Sequence, residues 1–207
     1  VMYVSDYVLR KSKQMRTIVK GFLPMLGVMI FTGALVMFEP DFGALVVITS
    51  IAMGILFLGG LTLRVIVSLA ILAPFGVWAA IILSPYRMER ILAFRDAWSP
   101  EHKFDGGLQI TQAQMAFGNG EFFGVGVGNS SAKLHFLPEA HTDFLMAIIG
   151  EEFGLFGVAI VIGLFTFLVV RMFGIAKESI QNNKYFAALM VQGVAIWFAV
   201  QCTINIA

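Results

Sequence analysis

The chain is 207 residues long, and 58% of these residues are hydrophobic while only 13% are charged. Soluble domains are about 45–50% apolar, so this composition excludes an ordinary soluble protein and indicates a membrane protein. The formal net charge of +1 argues against nucleic acid as a partner, because phosphate binding needs cations in clear excess. The single cysteine, Cys202, excludes an internal disulfide.

Uncharged stretches along the chain predict its membrane helices. Crossing ~30 Å of hydrocarbon takes about 20 helical residues. Four uncharged stretches meet this requirement, at residues 21–38, 42–63, 65–86 and 185–207. A fifth span is predicted at residues 144–171, which is uncharged from 153 to 170, behind Glu151 and Glu152. We expect residues 1–9 to be the tail of a further helix. The predicted fold is all-α: a polytopic α-helical membrane protein, residues 1–207 forming one membrane domain, with a long extracytoplasmic loop at residues 87–143.

The basic loop at residues 10–20 sets the predicted orientation. It contains five cations and no acid, and short loops rich in Lys and Arg stay on the cytoplasmic side of a membrane. Alternation of the spans then places the turn at residues 39–41 and the loop 87–143 on the outer side. Sites tend to lie in loops carried by a rigid scaffold, so we expect the function in the long loop.

Asp143 stands out in this loop because it directly precedes the apolar helix predicted from Phe144. One reading is a helix cap, since the free N–H groups and the positive end of a helix favour an acid. The other reading is a general base. Held at the membrane surface beside Lys133 and His141, the carboxylate could take a proton from a hydroxyl of a lipid-linked substrate. The residues alone leave both readings open.

Four further acids lie near the membrane. Glu151 and Glu152 are about 12 Å below Asp143 along the same predicted helix, where an unpaired charge is costly. We expect both to be structurally paired, and a transport path lined by them is the competing interpretation. Glu39 and Asp41 lie at another turn and either pair with a cation or end and cap helices.

The glycine-rich run at residues 118–128 is predicted to be a sharply turning loop. It lacks the GxGxxG and P-loop patterns of nucleotide sites, and no strand precedes it. The three histidines also lack the helical spacing with a glutamate that typifies a zinc site.

Several motifs together resemble the SEDS family (shape, elongation, division and sporulation). The strongest are GNSSAKLHFLPEAHTDF at residues 128–144 and IGEEFG at residues 149–154. Supporting matches in family order are SDY at 5–7, RK at 10–11, EPDFG at 39–43, PYR at 85–87, Gln112, and AFG at 116–118. The likeness covers essentially the whole chain and is greatest to the members that act in cell division. It implies a ten-helix fold, of which this chain would be an internal part.

The resemblance implies a peptidoglycan glycosyltransferase that polymerises lipid II during septal wall synthesis in the bacterial cytoplasmic membrane. Asp143 matches the essential loop aspartate of the family and would be the general base. A departing lipid diphosphate would be stabilised by cationic groups or a divalent cation such as Mg²⁺. The candidate substrate-binding residues are Arg87, Arg90, Lys133, Glu139, His141 and Thr142.

The resemblance also implies partners and a structural pair. The partners would be a class B penicillin-binding protein that crosslinks the strands and other divisome proteins. Asp41 matches a family aspartate that pairs with a lysine on a preceding helix segment, so Asp41 and Glu39 are candidates for a structural ion pair. Two alternatives remain: a lipid II flippase or transporter, and a non-catalytic divisome scaffold.

Overall fold

The computed structural model describes residues 1–39, 41–82, 88, 96, 98–99, 108–130 and 144–206. Within these residues the regular structure is entirely helical. The α-helices are α1 (Met2–Arg10), α2 (Leu23–Phe38), α3 (Phe42–Leu58), α4 (Leu63–Ile82), α5 (Leu108–Gly120), α6 (Leu145–Gln181) and α7 (Tyr185–Ile206). A short 3-10 helix (Ser12–Gln14) and a π-helix (Ile18–Phe22) lie between α1 and α2.

Three helical segments in the described part of the chain are long and apolar enough to cross a membrane: Ile18–Phe38, Leu145–Gln181 and Tyr185–Ile206. Their large side chains are widely exposed, as with Phe31 at 67% and Phe167 at 70%. Such exposure is costly in water but suits helices whose surroundings are lipid. The prediction of an all-helical membrane protein is confirmed.

Each predicted span overlaps one of α2, α3, α4, α6 and α7. The largest difference is at the end of α6, which continues past the predicted limit at residue 171 to Gln181. The added turns carry charged side chains, and Arg171 Nη1 lies 3.7 Å from Glu178 Oε1. Polar residues with good helix propensity can extend an apolar helix beyond the bilayer, which a test based on hydrophobicity does not detect.

The chain divides into two compact units, residues 1–72 with 165–204 and residues 73–164 with 205–207. In the first unit, α3 and α7 pack through glycines in a reciprocal way. A Cβ atom at Gly54 of α3 would lie 2.5 Å from Ile196 Cδ1, and one at Gly193 of α7 would lie 2.6 Å from Ile55 Cδ1. Each isoleucine therefore fills the space above a glycine of the other helix, a close approach that small residues allow between membrane helices.

The connection between α1 and α2 is also part of the first unit. The Tyr7 hydroxyl donates to the Gly21 carbonyl oxygen at 2.6 Å, and Arg10 forms an ion pair with Asp6 on α1. Met15 is fully buried, while the cations around it are mostly exposed. The basic loop is thus anchored by one apolar side chain and presents its charges to the surroundings.

Candidate functional site

Most of the predicted site lies outside the described residues. This applies to Asp143, Lys133, Glu139, His141, Thr142, Arg87 and Arg90, whose roles stay predictions. The structure does describe the two segments that flank residues 131–143. These are the end of the glycine-rich run, up to Ser130, and the start of α6, from Leu145.

The segment before residues 131–143 consists of α5 and a turning loop, residues 121–130, named here the glycine loop. The helix ends at Gly120, and the backbone then adopts positive φ at Gly124 (80°), Gly126 (100°) and Gly128 (82°). Side chains with a Cβ rarely adopt this region, which explains the repeated glycines. The sharply turning loop is confirmed, although its predicted first residues belong to α5.

The segment after residues 131–143 is a helix with a break. Gly154, inside α6, has φ 67° and ψ −165°, which is not a helical conformation. In an uninterrupted helix, the carbonyl groups of Glu151 and Glu152 would accept hydrogen bonds from the amides of Leu155 and Phe156. At the break all four of these groups have partners elsewhere.

The partners are backbone groups of the glycine loop. The Val125 and Gly126 amides donate to the carbonyls of residues 151 and 152 at 2.9 and 3.1 Å. The amides of residues 155 and 156 donate to the carbonyls of Glu121 and Phe122 at 3.0 and 3.2 Å. The loop therefore restores the backbone hydrogen bonds that the break removes, as a membrane-embedded backbone requires.

Glycines allow this close contact between loop and helix. A Cβ atom at Gly120 would overlap the Gly150 carbonyl, and one at Gly124 would overlap the Glu152 carbonyl. A Cβ at Gly154 would lie 2.5 Å from the Phe122 carbonyl carbon. Since the obstructing atoms belong to the backbone, rotation of a side chain could not make room for these added Cβ atoms.

Side chains add a second layer of contacts at the same place. Glu151 is 1% exposed, and its two carboxylate oxygens accept hydrogen bonds from the Ser130 hydroxyl and, at 3.5 Å, from the Asn119 side-chain amide. Glu152 is 5% exposed, and its Oε1 accepts from the Gly128 amide at 3.1 Å. These contacts agree with the structural role expected for both glutamates.

Glu39 and Asp41 flank the turn between α2 and α3. Asp41 is the N-cap of α3, and its Oδ1 accepts from the Ala44 amide at 2.9 Å. Glu39 is the C-cap of α2, and its amide donates to the Val36 carbonyl at 3.1 Å. Neither carboxylate forms an ion pair with a described residue, so the structure supplies the capping role and the ion pair stays a prediction.

Sequence reasoning did not identify Ser130 and Asn119 as partners of the buried glutamates. Ser130 precedes Glu151 by 21 positions, and Asn119 precedes it by 32. The available signal was the presence of two short polar side chains in a glycine-rich run close to a membrane helix that carries two acids. Buried acids require donors, and this run supplies them.

Comparisons with known proteins place this architecture in a family. A family model described as "Cell cycle protein" (FTSW_RODA_SPOVE) matches residues 1–207. A "Probable peptidoglycan glycosyltransferase FtsW" of Aromatoleum aromaticum is 48% identical over 204 residues, covering 99% of this chain and 49% of that protein. A relative of the same name from Burkholderia thailandensis is 45% identical, covering 99% of this chain and 44% of its own length. The chain thus spans about half the length of the curated relatives it matches.

A solved structure shares the fold. It is described as "Structural coordination of polymerization and crosslinking by a peptidoglycan synthase complex" and aligns with a TM-score of 0.66. The alignment covers 98% of this chain and 56% of the other, at 24% identity. With the family match over its whole length, the chain belongs to the FtsW/RodA/SpoVE family of cell cycle proteins, and the resemblance to the SEDS family is confirmed.

Proposed function

We propose that the protein is a peptidoglycan glycosyltransferase that polymerises lipid II at the outer face of the bacterial cytoplasmic membrane, at the division septum. The observation that carries this proposal is the similarity, along 99% of the chain, to relatives that bear this activity in their names. The partners in this proposal are a class B penicillin-binding protein and other divisome proteins.

In the proposed reaction a sugar hydroxyl of lipid II attacks the anomeric carbon of the growing strand. A new C–O bond forms, the bond from that carbon to the lipid diphosphate breaks, and the hydroxyl proton passes to the Asp143 carboxylate. The diphosphate leaves as a stabilised anion, so no general acid is required. Arg87, Arg90 and Lys133 are the cations proposed to hold it, and Glu139, His141 and Thr142 are proposed to contact the sugars.

The start of α6 is suited to an acid at position 143. Asp143 is two residues before Leu145, where α6 begins, and the amides of Ala147 and Ile148 donate back to the Phe144 carbonyl. The start of a helix presents unpaired N–H groups and partial positive charge. Such a helix start favours a nearby acid, which supports the proposal of an acidic side chain acting at position 143.

We retain a divalent cation such as Mg²⁺ in the proposal as an aid to diphosphate departure. In the part of the chain with described structure, no three His, Cys, Asp or Glu side chains are grouped to hold a metal.

The decisive experiment measures lipid II polymerisation by the full-length protein with its partner synthase in lipid vesicles. We expect Asp143→Ala and Asp143→Asn to reduce the rate by at least about 10²-fold, because a general base contributes about 10²–10⁴-fold. Glu178→Gln, which removes an exposed carboxylate near the end of α6, is the matched control and should leave the rate unchanged.

Three results would contradict the proposal. Polymerisation retained by Asp143→Ala would remove the assigned base. Movement of labelled lipid II across the vesicles, insensitive to Asp143 but lost in Glu151 and Glu152 variants, would favour a flippase. Binding of the partner synthase without any turnover would favour a scaffold.

A further inference from the structure

We propose that Glu151 and Glu152 are positioning residues, which hold the start of the segment bearing Asp143 against the helix on which that segment ends. The contacts of these glutamates with Ser130 and Gly128 are named here the latch. The proposal rests on the proposed function, because it assigns the latch a part in placing the general base. No contact between the glutamates and substrate is invoked.

The first observation concerns the residues at the two ends of the segment 131–143. Ser130 directly precedes this segment and Phe144 directly follows it. The Ser130 hydroxyl is bonded to Glu151, which lies about 9 Å along the helix axis from Leu145, the first residue of α6. The segment, fully extended, could span about 40 Å. The length of this segment therefore does not fix the distance between its ends, and the latch contributes to fixing it together with the backbone bonds of the glycine loop.

The second observation is that the glycine loop bonds to both the side chains and the backbone of the two glutamates. Ser130 and Gly128 donate to the carboxylates, while Val125 and Gly126 donate to carbonyls of the same two glutamates. Each glutamate therefore accepts hydrogen bonds both through its side chain and through its backbone carbonyl. Both side chains are almost fully buried, where a hydrogen bond to a carboxylate is strong.

A loosened latch should affect the chemical step more than substrate binding. If the Ser130 contact is lost, the nearest of the other hydrogen bonds to α6 described above are those of Gly128, Gly126 and Val125, so the start of the segment is held less closely. Catalytic groups lose about 10²-fold in rate when misplaced by about 1 Å. Binding of lipid II is expected to change little, because the Ser130, Glu151 and Glu152 side chains are buried.

The test uses the full-length protein with its partner synthase, and measures kcat and KM for lipid II. We expect Ser130→Ala and Glu151→Gln each to lower kcat by about tenfold, with KM within about twofold of wild type. Ser130→Thr keeps the hydroxyl and should restore most of the rate. The double variant Ser130→Ala/Glu151→Gln should be little worse than either single variant, because the two residues share one hydrogen bond.

The matched control is Glu121→Gln, which makes the same charge change on an exposed side chain of the same glycine loop. Wild-type kcat in Ser130→Ala and Glu151→Gln, with polymerisation abolished in Asp143→Ala, would overturn the latch and leave the proposed function standing. Polymerisation retained in Asp143→Ala would instead overturn the proposed function.

Hydrogen exchange of the unmodified protein tests the latch even if a variant fails to fold. The Val125, Gly126 and Gly128 amides should exchange at least about 10²-fold more slowly than in an unstructured peptide, since all three donate to buried acceptors. Exchange at the peptide rate would overturn the proposal.

Discussion

At the scale of single residues, Asp41 is an acid whose two expected roles can be separated by experiment. Its carboxylate accepts a hydrogen bond from the Ala44 amide and so satisfies one of the free N–H groups at the start of α3. A cap needs only an oxygen acceptor, whereas an ion pair needs the negative charge. Substitutions that keep one property and remove the other therefore distinguish the two roles.

The expected result follows from the cap. Asp41→Ala should lower the free energy of unfolding by about 1 kcal/mol, while Asp41→Asn, which keeps an acceptor oxygen, should lose only a few tenths. Thermal unfolding of the full-length protein in detergent measures both. Equal losses from Asn and Ala would show that the charge matters and would support the predicted ion pair with a lysine instead.

At the scale of elements, α5, the glycine loop and the broken helix α6 form one backbone-bonded assembly. The break at Gly154 is stable because the loop supplies hydrogen-bond partners for residues 151, 152, 155 and 156. The assembly also requires α5 to approach α6 at Gly120, where a Cβ would overlap the Gly150 carbonyl. At Gly118, one helical half-turn earlier, a Cβ atom would meet no atom of the described residues within 4 Å.

These two glycines form a matched pair for mutation. Gly118→Ala should leave the free energy of unfolding unchanged or raise it by up to about 1 kcal/mol, since alanine favours a helix. Gly120→Ala should lower it by about 2 kcal/mol or more, because the helix must shift to avoid a backbone atom. The free energies of unfolding of both variants are measured in detergent and compared with hydrogen exchange at the Val125 amide. Equal tolerance of the two changes would contradict the close approach.

At the scale of the whole molecule, the helices of the first unit are held by shape and not by charge. The ion pairs among the described residues, Asp6 with Arg10 and Arg171 with Glu178, are exposed and so contribute little. The reciprocal fit of Ile196 above Gly54 and Ile55 above Gly193 lies instead at a helix crossing. Between membrane helices, where lipid tails are as apolar as side chains, such packing is a principal source of association.

A larger side chain at this crossing should therefore be costly. Gly54→Leu and Gly193→Leu should each lower the free energy of unfolding by about 1–3 kcal/mol. Gly27→Leu on α2, where a new Cβ would contact no described residue within 4 Å, is the control and should cause no loss. Thermal unfolding in detergent measures all three, and similar stabilities would count against the packing described.

The sequence predicted an all-helical membrane protein because an uninterrupted apolar run is a local property. It could not predict the break at Gly154, since residues 153–170 are uncharged and glycine is common in membrane helices. It also placed α5 inside a loop, because the polar sequence of that helix lacks a strong apolar stripe. The partners of Glu151 and Glu152 depend on contacts that are distant along the chain, which no local pattern specifies.

The exchange of hydrogen bonds at Gly154 has a consequence for protein engineering. Main-chain atoms of residues 121–126 supply the hydrogen-bond partners that the interrupted helix lacks. Without that loop, the half-helix 145–153 would lose some of its backbone hydrogen bonds. A chimaera that transplants the N-terminal end of α6 into another scaffold must therefore include residues 120–130 as well. If the helix were grafted without this loop, we expect the break at Gly154 to straighten. The first turn of the helix would then point in a different direction.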